Sequence, residues 1–128
     1  MNNTAHDIYA SISLLSNNLI VSIPGDMHDA DLESFSEVIM NRGYQHKLNG
    51  AIFDFSAVSI MDSFMYKNFT QTTEALQLMG VEVIWTSLRP AVVMALMDLN
   101  INHFHFNVNT AVTMELGIKK LNSLKSDN

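Results

Sequence analysis

Cysteine is absent from this 128-residue chain. Its absence excludes a disulfide framework, thiolate metal sites and a cysteine nucleophile, and it suits a reducing compartment. Basic residues are scarce: 7 Lys and Arg stand against 13 Asp and Glu, a formal net charge of -6. Such a balance argues against nucleic acid and anionic membrane surfaces as partners, and it suits a basic protein partner. No apolar run approaches the roughly 20 residues that cross a bilayer. Met1 to Asp7 is polar with no basic run, so no secretory signal is expected and a cytoplasmic location is the default. No Pro/Gly/Ser-rich linker and no internal repeat divide the chain. One domain over residues 1–128 is therefore expected, with a polar tail from about Ser123.

What is present is apolar: 48% of residues are hydrophobic and 16% charged, enough material for a packed core. Ile8 to Leu15 alternates apolar and polar residues, the period of a strand with one dry face. Asn17-Asn18 predicts a hairpin turn into a second strand, Leu19 to Ile23, which Pro24-Gly25 stops. Asp29 is placed to cap a helix reaching about Arg42, with Leu32, Phe35 and Ile39 inward and Gly43 as its stop. Ala51 to Phe55 and Val81 to Thr86 are nearly continuous apolar runs, as strands covered on both faces require. Between them a helix starts near Asp62-Ser63, carries a stripe of Met65, Phe69, Thr72, Leu76 and Met79, and ends at Gly80. Pro90 opens a third helix, where its missing N–H is harmless. His103 to Phe106 is predicted as a short strand, and Thr110 to Leu124 as the last helix. This alternation implies an α/β fold with a mixed, mostly parallel sheet under about four helices, and the 51–55 and 81–86 strands near its centre.

The run from Asp54 to Phe64 carries the most chemistry. It passes from a buried strand through a short apolar loop to an acid and a hydroxyl at a helix start. A serine there lies beside free backbone N–H groups and the positive end of the helix dipole, so it tolerates added phosphate. Asp62 or Ser63 can equally be no more than the helix cap.

The segment Asp-Phe-Ser-Ala-Val-Ser-Ile-Met-Asp-Ser-Phe, from Asp54, resembles the signature of STAS domains, the family of anti-sigma-factor antagonists. Val21-Ser22-Ile23, Leu78 to Val83, Thr86 to Val92 and Leu96 to Ile101 agree with it in order, so the resemblance spans about 14–124. Within the family the chain is similar to the RsbS-type scaffolds of bacterial stressosomes. The acid is followed by one serine, then Phe64 and Met65, where many sporulation-type antagonists have Asp-Ser-Ser-Gly. The resemblance implies Ser63 as phosphoacceptor for an RsbT-type serine kinase, which the unphosphorylated form holds. The neighbours Met61, Asp62, Phe64 and Met65 are the expected partner-binding residues, since apolar side chains left exposed there would make a contact surface. The resemblance further implies co-assembly with RsbR-type STAS proteins or with more copies of the chain. Thr86 stands where RsbR-type relatives carry a second phosphorylatable threonine, and Ser87 replaces the family's usual glycine after it.

Other constellations are weaker. His103 and His105 fall on one face of the predicted strand, a metal-ligand spacing without a third ligand nearby. No metal and no cofactor are therefore expected. His28 with Asp26 and Asp29 fits a loop and helix cap better than acid–base work. No nucleophile elbow, P-loop or Gly-rich dinucleotide motif is present, so the chain is not read as an enzyme. The alternatives left open are a simple antagonist acting outside a large assembly, and a small-ligand or nucleotide-binding α/β domain with anion sites at the helix starts near Ser63 and Pro90.

Overall fold

The computed structural model describes residues 11–101 and 107–126. Among these the chain forms strands β1 (Ile12–Leu15) and β2 (Asn18–Ser22), helix α1 (Asp29–Gln45), β3 (Gly50–Asp54) and α2 (Ser63–Leu78). It continues through β4 (Glu82–Thr86), α3 (Pro90–Ile101), β5 (Asn109–Ala111) and α4 (Met114–Ser126). The five strands make one sheet in chain order. β1 is antiparallel to β2, and β2 through β5 run parallel, with Ile20, Ile52 and Ile84 side by side across the three central strands. The expected mixed sheet under four helices is thus observed, with β3 at its middle and β4 beside it.

Alternation within the parallel strands divides the core. Leu19, Val21, Ala51, Phe53, Val83 and Trp85 face a cluster completed by Leu32, Phe35 and Ile39 of α1, Met65, Phe69 and Leu76 of α2, and Val92 and Leu96 of α3. Ile20, Ile52 and Ile84 point the other way, under Leu121 of α4. Both faces of β2, β3 and β4 are therefore covered, which is why these strands read as nearly continuous apolar runs. Phe69 is the hub of the larger cluster, edge-on to Phe35, Phe53 and Phe55 with centroids 6.4, 6.2 and 5.5 Å away. Trp85 packs on Phe55, and its Nε1 donates to the buried Thr73 Oγ1 at 3.0 Å, so the indole leaves no polar atom unpaired.

Several local expectations change. The hairpin turn is Ser16-Asn17, with φ of 52° and 66°, one residue earlier than predicted. Two positive φ values match the twist of the flanking strands, and Asn18 then opens β2 opposite Leu15. Gly43 does not stop α1. The helix runs to Gln45, and a Cβ on Gly43 would lie 2.7 Å from Leu76 Cδ2, so the glycine lets α1 and α2 approach. The N-cap of α1 is His28, not Asp29; Asp29 and Asp31 sit in its first turn. Residues Thr110 and Ala111 belong to β5, and α4 starts at Met114 behind a Thr113 hydroxyl that accepts from the Leu116 N–H at 3.2 Å. The strand predicted over His103–Phe106 lies outside the described residues.

Candidate functional site

The carboxyl ends of the parallel strands carry three connections: 23–28 after β2, 55–62 after β3, and 87–89 after β4. In open α/β sheets this is the end where sites assemble. The 55–62 loop is held from below by buried Phe55 and Val58. The Phe55 N–H donates to the Thr86 carbonyl at 2.9 Å, and the Val58 N–H closes a turn on the Phe55 carbonyl at 2.9 Å. Asp54, at the end of β3, accepts from Ser56 Oγ on Oδ2 (2.9 Å) and from Thr86 Oγ1 on Oδ1 (3.1 Å). Arg89 grips the same loop from outside, donating from Nε and Nη2 to the Ser56 carbonyl at 3.0 and 2.8 Å. Gly25 brings the first loop against it, since a Cβ there would strike the Ala57 carbonyl. The loop that delivers Ser63 is therefore fastened to both neighbouring connections.

At its end Asp62 is the N-cap of α2, and its Oδ1 accepts from the Met65 N–H at 2.8 Å. Asp62 thus does the capping, and Ser63 is the first helical residue, exposed and outside that bond. Its apolar neighbours divide. Met61 and Met65 are 3% and 8% exposed and belong to the core, which corrects their assignment to a partner-binding surface: the helical period turns Met65 beneath α2, and Met61 plugs the loop from inside. The exposed apolar side chains beside Ser63 are Phe64 (44%) and Ile60 (79%), and Ile60 was not singled out from the sequence. Thr86 is also corrected. It is wholly buried and its hydroxyl is spent on Asp54, so it offers a kinase nothing in this state. Ser87 takes φ 63°, a left-handed conformation that explains why a glycine suits this place. Its N–H donates to the Ala111 carbonyl at 3.3 Å.

Within the helix that Ser63 begins, burial, with Glu74 adding to it, pushes the Tyr66 phenol above its usual 10.0. His28 is exposed at the start of α1 and makes no side-chain cap bond. Among the described residues no group of three or more His, Cys, Asp or Glu is arranged to hold a metal, and no helix is long and apolar enough to cross a membrane. His103 and His105 lie outside the described residues.

The STAS domain family model matches residues 9–115. Among curated proteins none matches this chain. Among solved structures the chain is similar to RsbS of Moorella thermoacetica in a serine-to-glutamate variant. The TM-score is 0.79 at 22% identity, over 90% of this chain and 96% of that one. It is also similar to a chain of the stressosome, described as a signal integration and transduction hub, with a TM-score of 0.76 at 24% identity over 88% and 96%. The phosphorylated form of the Bacillus cell-fate determinant SpoIIAA superposes with a TM-score of 0.63 at 15% identity, over 86% and 96%. With the family model spanning the sheet, α1, α2 and α3, this chain belongs to the STAS domain family.

Proposed function

We propose that this chain is a phosphorylation-switched, non-catalytic antagonist and scaffold of a bacterial stress-response pathway. It binds and holds an RsbT-type serine kinase in the cytoplasm and releases it once Ser63 carries phosphate. The observation that carries this is the position of Ser63: exposed, first in α2, relieved of capping by Asp62, and flanked by exposed Ile60 and Phe64. Phosphate there adds about 1.5 to 2 negative charges. The helix N-terminus accepts them, so the fold is undisturbed. A partner surface packed on Ile60 and Phe64 would have to desolvate them, which weakens the contact. Likeness to RsbS and to the stressosome supports a large assembly with RsbR-type STAS partners or further copies. Likeness to SpoIIAA supports the simpler form, partner switching outside such an assembly. Particle size in the presence of RsbR-type partners separates the two.

The test of the site is phosphate mapping. Incubation with the RsbT-type kinase and ATP, followed by mass spectrometry, should place phosphate on Ser63 and find none on the Ser63→Ala variant. Phosphate on another residue would refute the assignment.

A further inference from the structure

A continuous groove starts at the Ser63 end of α2 and follows the seam between α1 and α2. Its upper part, about 260 Å³, lies between Glu33, Phe64, Lys67 and Asn68. Its lower part, about 280 Å³, shares Glu33, Asn68 and Gln71 with the first and reaches Met40. Phe64, Asn68 and Thr72 are spaced four apart on α2, so the groove extends about 12 Å from its mouth, at 1.5 Å rise per residue. Its floor is a set hydrogen-bond network. Ser36 Oγ donates to Asn68 Oδ1 at 2.8 Å, and Thr72 Oγ1 lies 2.8 Å from both Ser36 Oγ and the Asn68 carbonyl. With its oxygen accepting from Ser36, Asn68 keeps its two amide N–H groups as donors for an occupant. One wall carries Glu33 and Glu37, one helical turn apart, a like-charge spacing that destabilises an isolated helix unless a cation intervenes. Among the described residues that line the groove, Lys67 is the one cation against these two carboxylates.

We propose that this groove seats a basic segment of the kinase that acts on Ser63. A lysine or arginine of that segment lies between Glu33 and Glu37, its backbone carbonyl accepts from Asn68, and an apolar side chain rests on Phe64 at the mouth. The assignment rests on Ser63 being the kinase's target, because the groove opens beside that residue. The two act separately: the groove supplies affinity and register, and release is exerted at the mouth, where phosphate meets the contact over Ile60 and Phe64.

The experiment is calorimetric titration of the purified RsbT-type kinase into wild type, Glu33→Lys/Glu37→Lys, Glu33→Gln/Glu37→Gln, and Glu82→Lys as an exposed control outside the groove. Circular dichroism verifies that each variant is folded. Charge reversal should weaken binding about tenfold or more, since like charges in contact cost at least that factor. Neutralisation should weaken it less, and Glu82→Lys should leave it within twofold. If wild type binds and the reversal does too, within twofold, the groove proposal falls while the Ser63 switch stands. An equal loss in Glu82→Lys also overturns it, because the effect is then one of net charge. Failure of wild type to bind the kinase overturns both.

Discussion

Replacing Asp62 by Ala should cost stability, and replacing Ser63 by Ala should not, although the two residues are adjacent at one helix start. Asp62 Oδ1 accepts the Met65 N–H at 2.8 Å, and Met65 is a core residue whose N–H has no intrahelical partner at that position. Loss of such a cap costs about 1 kcal/mol, with a range of roughly 0.5–2. For a chain of this length that corresponds to a melting-point fall of about 3–5 °C. The Ser63 hydroxyl is outside the cap, and Ala is the better helix former by up to roughly 0.7 kcal/mol, so Ser63→Ala should be neutral or slightly stabilising. Urea unfolding followed by circular dichroism gives both numbers, and unchanged m-values make the midpoints comparable. A Ser63→Ala loss equal to that of Asp62→Ala would mean that the serine is structural, and the reasoning that frees it for modification would fail.

Thr86→Val should lose about 1–3 kcal/mol, because Asp54 is left short of a donor in the interior, whereas Thr86→Ser should retain most of the stability; equal values in urea would remove the hydrogen bond from the account. Gly43→Ala should lose up to about 2 kcal/mol, as overpacking against Leu76 outweighs the roughly 1 kcal/mol that Ala gains over Gly in a helix; a net gain would make Gly43 an ordinary exposed position. Stability should fall as pH rises above 10. The unfolded chain releases the Tyr66 proton near 10.0 while burial holds it on in the folded state, so the loss accumulates up to the folded pKa. Tyr66→Phe should flatten that decline in urea midpoints taken from pH 8 to 11, and an unchanged slope would exclude the phenol as its source.

The fold was largely legible because its central strands are covered on both faces. Residues 51–54 and 83–86 announce themselves as largely apolar runs, and the start of α2 just after Asp62 follows from an acid before an apolar stripe. What was not legible depends on tertiary contact. β5 is three mostly exposed residues whose place is set by pairing with Ile84, Trp85 and Thr86, and nothing in Asn-Thr-Ala is periodic. Gly43 looks like a helix stop until α2 is seen to need the space. Beside Ser63, Met61 and Ile60 are neighbours in an irregular loop, where no period tells which one turns inward. The bond from Thr86 to Asp54 joins residues 32 apart, and its sign in the sequence is only a polar residue closing each of two apolar strands.

The central claim is that phosphate on Ser63 releases the kinase. The most direct measurement is the affinity of the RsbT-type kinase for this chain before and after stoichiometric phosphorylation of Ser63, with mass spectrometry verifying a single site. Tight binding to the unmodified form and a loss of about tenfold or more on phosphorylation, at least 1.4 kcal/mol, is the predicted result. Equal affinity for the two forms would contradict it.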